Sequence, residues 1–267
     1  MQETSGQTAY LGDEYSYSHA AAQRMSHGAL KPYTTMSETI AAVGRDCEYA
    51  VLPVENNVEG AVNEVYDAFF DSGLYIEREL VLPVRHSLIA AEGTRLSDIK
   101  TVFSHPQAIA QCRKYLDRLS VTVTATASTS AALSKVDRET AAIAFRPKAG
   151  QTALAVGIQD SSKNATRFAL LTREKTYEGG TVSIAFDLKN TPGALLKALS
   201  VLNDRGINMS RILSRPHRSG SGRYRFFVDF DFGGTAGELK ELFDALDGCC
   251  SDFRFLGRYD CNIATDF

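Results

Sequence analysis

Long apolar runs are missing from this sequence. Nothing in its 267 residues approaches the roughly 20 consecutive apolar residues that a membrane-spanning helix needs. A charge excess is missing too: 29 Lys and Arg against 32 Asp and Glu leave a formal net charge of −3. No global field therefore draws the chain to nucleic acid or to an anionic membrane, and an anionic ligand has to be met by local groups. Cysteine occurs five times, at Cys47, Cys112, Cys249, Cys250 and Cys261, an odd set with no CxxC pair. That pattern speaks against a disulfide framework and for reduced thiols. The opening residues Met1-Gln2-Glu3-Thr4-Ser5 are polar, without an apolar signal core. The expectation is a cytoplasmic protein.

Several chemistry-bearing signatures are also absent. There is no phosphate-cradling GxxxxGK[ST] and no dinucleotide GxGxxG, and Gly220-Ser221-Gly222 falls in a polar hairpin turn at 218–222. The histidines His19, His27, His86, His105 and His217 include no HxxxH pair, and no GxSxG marks a serine nucleophile. Chemistry without a metal or cofactor is expected. Hydrophobic residues at 44% and charged residues at 23% are ordinary for a globular protein long enough for one large domain or two smaller ones.

What is present alternates between strand and helix patterns. Residues 9–12 read as a strand, the alanine-rich stretch 17–25 as a helix, and 49–54 as a short apolar strand covered on both faces. Val62, Val65, Tyr66, Phe69 and Phe70 repeat at helical spacing up to Gly73. Further strands are expected at 81–90 and 101–103, and helices at 106–116 and 130–136. This order implies a doubly wound α/β architecture. Residues 173–180 read as a linker. Beyond it Val182, Ile184, Phe186 and Leu188 alternate as a half-buried strand, and Leu195, Leu196, Leu199 and Leu202 line a helix that Gly206 stops. A strand at 207–214 and a long one from Tyr224 to Phe232 follow. A helix opened by a Thr235/Glu238 capping box and a last strand near 253–257 complete a βαββαβ, ferredoxin-like order.

Three polar clusters sit at strand ends, where α/β proteins place ligands. They are Pro53-Val54-Glu55-Asn56-Asn57-Val58-Glu59-Gly60, Ser104-His105-Pro106-Gln107-Ala108-Ile109-Ala110-Gln111, and Asn164-Ala165-Thr166-Arg167-Phe168. In the second, Ser104 fits a helix N-cap with Pro106 in the first turn, which leaves N–H groups able to meet an anion. Together the clusters supply a carboxylate, amides, hydroxyls and one guanidinium, a kit suited to a small anion. Taken singly, each has a plain structural role open to it: a Ser104/Gln107 capping box, Glu55 as a first-turn acid, Arg167 in a surface ion pair.

In order and spacing these segments resemble the prephenate dehydratase family. The resemblance is carried by Leu11-Gly12 with Ser16-Tyr17-Ser18-His19, Leu52-Pro53-Val54-Glu55-Asn56 with Glu59-Gly60, Ser104-His105-Pro106-Gln107 with Gln111-Cys112, Thr166-Arg167-Phe168, and Ser214-Arg215-Pro216. It runs from about residue 9 to about residue 257. Asn190-Thr191-Pro192-Gly193-Ala194-Leu195 resembles the ligand-side turn of an ACT regulatory domain. The resemblance implies a catalytic domain over 1–178, two α/β lobes like a type II periplasmic binding protein with the site between them, and an ACT domain over 179–267. No helical segment before Ala9 suggests a fused chorismate mutase.

The implied activity converts prephenate to phenylpyruvate in phenylalanine biosynthesis, without cofactor, in a homodimer or tetramer. Catalytic positions carried over are Glu55, Asn56, Ser104, Gln111 and Thr166; substrate contacts are Arg167, Phe168, Ser16, His105 and Gln107. Arg167 and helix N-terminal amides would hold a carboxylate, and Ser104, Asn56 and Gln111 would orient the departing hydroxyl. Thr166 and Glu55 both remain open as its proton source. Phenylalanine would bind through Asn190, Pro192, Gly193, Ala194 and Leu195 together with Leu213, Ser214, Arg215 and Pro216. Three departures stand out: Gly12 is followed by Asp13-Glu14-Tyr15 where the family has Gly-Pro-x-Gly, Asn57 replaces Ser or Thr, and Leu213 replaces a glutamate. Alternatives within reach are an arogenate dehydratase, a non-aromatising prephenate decarboxylase, and a non-catalytic amino-acid sensor.

Overall fold

A computed structural model describes residues 6–217 and 223–264. The turn expected at 218–222 and the polar start at 1–5 lie outside the described residues. The chain begins with β1 (Thr8–Leu11), α1 (Tyr17–Met25), β2 (Leu30–Tyr33), α2 (Met36–Ala41), β3 (Tyr49–Asn56), the short β4 (Gly60–Ala61), α3 (Asn63–Ser72) and β5 (Tyr75–Pro83). It crosses through residues 84–86 into a second lobe. There it forms β6 (Ser87–Ala91), β7 (Thr101–Ser104), α4 (Pro106–Gln111), α5 (Arg113–Leu116), β8 (Thr122–Ala125), α6 (Thr129–Leu133), β9 (Thr140–Ala144) and β10 (Gln151–Val156). Residues 157–164 return to the first lobe and enter β11 (Ala165–Thr172). A third unit follows: β12 (Thr181–Leu188), α7 (Ala194–Asn203), β13 (Met209–Pro216), β14 (Tyr224–Asp231), α8 (Ala236–Asp247) and β15 (Asp252–Tyr259). A last strand, β16 (Cys261–Ile263), closes the described chain.

The first sheet runs β16-β5-β11-β3-β1-β2, with β4 folded back on β3; the second runs β10-β6-β9-β7-β8; the third runs β13-β14-β12-β15. β11 lies antiparallel to both β3 and β5, so the returning chain is clamped in the middle of the first sheet. Helix α1 forms where expected. Ser16 caps it by accepting from the His19 N–H at 3.1 Å, and fully buried Ala20, Ala21 and Ala22 let it approach Tyr10, Leu82 and Phe168 closely. Helix α3 turns Val65, Tyr66, Phe69 and Phe70 inward and stops at Gly73, whose φ of 77° is the left-handed C-cap.

The structure corrects several sequence expectations. Residues 81–90 are not one strand: the lobe crossing at 84–86 divides them between two sheets, although the apolar pattern runs through. The helix expected at 106–116 breaks at Cys112 into α4 and α5. Leu196 is 71% exposed, because the buried stripe of α7 follows Ala198 and Leu202, with Leu195 and Leu199 beside them. Strand β12 is buried on both faces rather than half-buried. Val182, Ile184, Phe186 and Leu188 pack under α7 and α8. The opposite face of the third sheet, through Ala185, Leu213, Phe227, Leu256 and Tyr259, packs on α2, α3 and the first sheet. The approach there is tight. Gly257 (φ 148°) would place a Cβ 2.4 Å from the Ile76 carbonyl oxygen, so no other residue fits without moving β15 off β5. Strand β16 then joins the first sheet parallel to β5, so the chain leaving β15 stitches the C-terminal unit to the first lobe.

Candidate active site

The cleft between the lobes is walled by the ends of β3 and β11. Their register sets Asn56 opposite Thr166 and Glu55 opposite Arg167. Successive strand residues point to opposite faces, so each motif is divided. Asn56 is buried on the cleft side. Its Nδ2 donates to Asn164 Oδ1 at 2.8 Å and to Thr166 Oγ1 at 3.0 Å, and its Oδ1 accepts from the N–H groups of Val58 and Glu59 at 3.0 and 3.2 Å. One amide thus holds β11 in place and shapes the loop after β3. An amide NH₂ only donates, so the Thr166 hydroxyl proton is not consumed by Asn56.

The facing wall comes from the second lobe. Helix α4 places Gln107 and Gln111 one turn apart, and both side-chain NH₂ groups donate to Glu59 Oε1, Gln111 at 3.3 Å. Gln111 Oε1 meets His86 Nε2 at 2.8 Å. A cavity of about 350 Å³ is bounded by Tyr17, Asn56, His86, His105, Gln107, Gln111, Ser128, Thr129 and Thr166. A second hollow of about 550 Å³ shares Gln107 and Gln111 and extends toward Glu59, Asp160 and Asn164. Among the described residues no group of three or more His, Cys, Asp or Glu is placed to hold a metal ion.

The other face of the same strands holds a charge network. Arg167 approaches Glu55 (3.6 Å), Glu79 (3.3 Å) and Asp229 (3.8 Å), the last contributed by β14 of the C-terminal unit. Arg211 on β13 donates to Asp229 at 2.5 Å and lies 3.8 Å from Glu55. It also reaches the Tyr66 hydroxyl. Ser183 donates to Asp229 at 2.6 Å and meets the Tyr259 hydroxyl at 2.7 Å. Burial and the Asp229 carboxylate push Glu79 up to about 8, outweighing the pull of Arg167. Arg167 was expected at the substrate; the structure turns it, with Glu55, to the junction between lobe and C-terminal unit.

Other expected site residues are placed as follows. Ser104 is fully buried at the end of β7 and donates to the Ile143 carbonyl at 2.7 Å, tying β7 to β9. The α4 cap falls one residue later, on His105, whose Nδ1 accepts from the Gln107 N–H at 3.4 Å. Phe168 is core, packed among Tyr10, Leu82 and α1. Ser16 is the α1 cap. In the third unit α7 begins at Ala194 after a left-handed Gly193 (φ 79°), so Pro192 lies in the turn before the helix. Asn190, Pro192 and Gly193 are exposed, and Ala194 and Leu195 half-buried. Along β13, Ser214 and Pro216 face outward while Leu213 packs toward the first lobe. Arg215 forks onto Asp67 of α3 at 3.0 and 2.7 Å. His86, Ser128 and Thr129 join the cavity wall although no sequence motif marks them. Glu59 and Asn164 lie within the polar clusters, and only their contacts across the fold reveal what they do.

This geometry agrees with the relationships of the chain. Residues 8–176 match the family model described as prephenate dehydratase, and 182–248 match the ACT domain model. Prephenate dehydratase of Lactococcus lactis is 36% identical over 94% of this chain and 96% of its own length. A bifunctional chorismate mutase/prephenate dehydratase of Stutzerimonas stutzeri is 37% identical over 83% of this chain, which spans only 64% of that longer protein. Among solved structures, prephenate dehydratase of Arthrobacter aurescens in complex with L-Phe superposes with a TM-score of 0.86, at 30% identity over 95% of this chain and 90% of that one. A protein described as a quorum-quenching acylase, GqqA, superposes with a TM-score of 0.85, at 29% identity over 95% and 97% of the two chains. By family model, sequence identity over nearly its whole length and fold, this chain belongs to the prephenate dehydratase family and carries an ACT domain after the catalytic lobes.

Proposed function

We propose that the interlobe cleft converts prephenate to phenylpyruvate, a carbon–oxygen lyase reaction, and that the ACT domain makes the enzyme responsive to phenylalanine. Breaking the bond to the ring carboxylate releases CO₂ and sends its electron pair into the ring. The ring hydroxyl leaves with a proton as water, and aromatisation supplies the driving force. The carrying observation is the Asn56–Thr166 hydrogen bond at 3.0 Å, which leaves the Thr166 proton free for the departing oxygen. Glu55 faces the opposite side of the sheet, so Thr166 is the better-placed donor of the two. Substrate carboxylates would meet Gln107, Gln111, His105, Ser128 and Thr129, all of which line the cavity. Charge-assisted hydrogen bonds to such groups hold an anion without a guanidinium.

Residues 1–178 form the catalytic domain and 179–267 the regulatory domain on this reading, in a cytoplasmic homodimer or tetramer. The L-Phe complex of the Arthrobacter relative supports phenylalanine as effector, bound near the Asn190–Leu195 turn and the Leu213–Pro216 strand end. Glu59 supports a second reading, because a carboxylate on the cleft wall could also take the ammonium of arogenate. Purified protein is given prephenate and arogenate, and products are identified by absorbance and NMR. Phenylpyruvate from prephenate supports the proposal. A higher kcat/KM on arogenate moves the assignment to that substrate, and a non-aromatic product or no turnover overturns it.

A further inference from the structure

We infer that His86, on the crossing between the lobes, is a positioning residue that fixes the orientation of the Gln111 amide in the cleft. The inference rests on the reaction assigned above. A glutamine amide can turn over, exchanging its oxygen for its NH₂, and what each end can pair with decides the orientation. One end of Gln111 faces Glu59, a carboxylate that only accepts. The NH₂ group must therefore point there, which leaves Oε1 for His86 Nε2 at 2.8 Å. His86 must then donate, so its proton sits on Nε2.

The surroundings agree with that assignment. His86 is 4% exposed. Burial holds its pKa below the usual imidazole value against the opposing effect of Gln111, which keeps the ring neutral. Nδ1 is buried and has no hydrogen-bond partner among the described residues. A lone pair left there is tolerated better than an unpaired N–H, which again selects the Nε2–H form. The Tyr17 ring stands edge-on at 6.1 Å and limits rotation of the imidazole.

The backbone of His86 is equally constrained. Its carbonyl accepts from the N–H groups of Gly157 and Ile158 at 2.9 and 3.0 Å, and its N–H donates to Gln159 Oε1 at 2.9 Å. The outgoing crossing is thereby tied at one residue to the returning crossing. The ring thus carries the fixed geometry of the lobe connection to Gln111, whose NH₂ group is presented to the cleft.

Variants separate positioning from packing. Gln at position 86 can bring an NH₂ group close to where Nε2 lies, whereas Asn is too short and Leu has no donor. We expect His86→Leu and His86→Asn to lower kcat on prephenate about 10- to 100-fold, the scale for a misplaced catalytic group, and His86→Gln to recover most of it. In a Gln111→Ala background the same changes should cost nearly nothing further. Ring ¹⁵N NMR of the full chain should show neutral Nε2–H at His86, giving way to a tautomer mixture in Gln111→Ala. Additive losses, absence of rescue by Gln, or an Nδ1–H ring indifferent to Gln111→Ala would overturn the inference. If wild-type protein does not turn over prephenate, the reaction assignment fails, and the ring spectrum alone then decides whether His86 orients Gln111.

Discussion

Replacing Glu79 by Gln should stabilise the protein in mild alkali and change little in mild acid. Glu79 is 1% exposed and lies on β5 where lobe and C-terminal unit meet. Facing it are Arg167 on β11, Asp229 on β14, Tyr259 on β15 and Cys261 on β16. Burial, reinforced by Asp229, raises its pKa from 4.5 to about 8. The folded protein thus keeps a proton that the unfolded chain gives up near 4.5. Between these values folding takes up a proton, so stability is greatest below the lower pKa, falls as pH rises through the window, and levels off above the upper one. The two values lie about 3.5 pH units apart, and at ~1.4 kcal/mol per unit the ceiling is ~5 kcal/mol. The pull of Arg167 is already contained in that shift, but relaxation around the ionised group keeps the recoverable part below the ceiling, roughly 2–4 kcal/mol for Gln, which keeps the neutral shape, at about pH 9. Urea unfolding of wild type and Glu79→Gln at about pH 5 and about pH 9 measures it. A variant less stable than wild type by ~1 kcal/mol or more at the higher pH would show that Glu79 is a stabilising ionised partner of Arg167, contrary to this reasoning.

Ser104→Ala should cost about 1–2 kcal/mol of stability through the lost bond to the Ile143 carbonyl, with kcat nearly unchanged; paired unfolding and rate measurements check both. Phenylalanine should bind the full chain with measurable heat. Leu213→Glu should alter inhibition more than affinity, because Leu213 packs on the first lobe while Ser214 and Pro216 face outward; calorimetry beside activity assays separates the two. Asp67→Asn, which removes the charge that Arg215 forks onto, should likewise weaken phenylalanine control with little effect on uninhibited kcat.

Much of this fold could be read before the structure was seen, and the misreadings have physical causes. Helix α3 and strand β14 have unambiguous periodicity in sequence, and the Thr235/Glu238 box forms as read. Residues 81–90 misled because Leu82, Val84, Leu88 and Ile89 continue one apolar pattern across the lobe boundary; only the pairing partners separate the strands. Strand β16 is three residues long and carries no alternation to detect. The polar clusters were visible as clusters at strand ends, but β3 runs on to Asn56 and β11 begins at Ala165, further than the apolar pattern shows. Once Glu55 and Arg167 lie on strands, they cannot share a face with Asn56 and Thr166. His86 carries no motif. Its role comes from Gln111, 25 residues away in sequence, and no spacing rule reaches it.

We propose that two adjacent residues divide the work: Thr166 serves the chemistry, and Arg167 joins the first lobe to the C-terminal unit. Steady-state kinetics on prephenate for Thr166→Ala and Arg167→Lys, beside urea unfolding of each, tests it most directly. Thr166→Ala should lower kcat roughly a hundred- to thousand-fold at nearly constant KM, the usual loss for a transition-state donor. Arg167→Lys should leave KM close to wild type and lower stability, since lysine has no planar fork with which to reach Glu55, Glu79 and Asp229 together. A large rise in KM for Arg167→Lys, with Thr166→Ala retaining most of its kcat, would contradict the account.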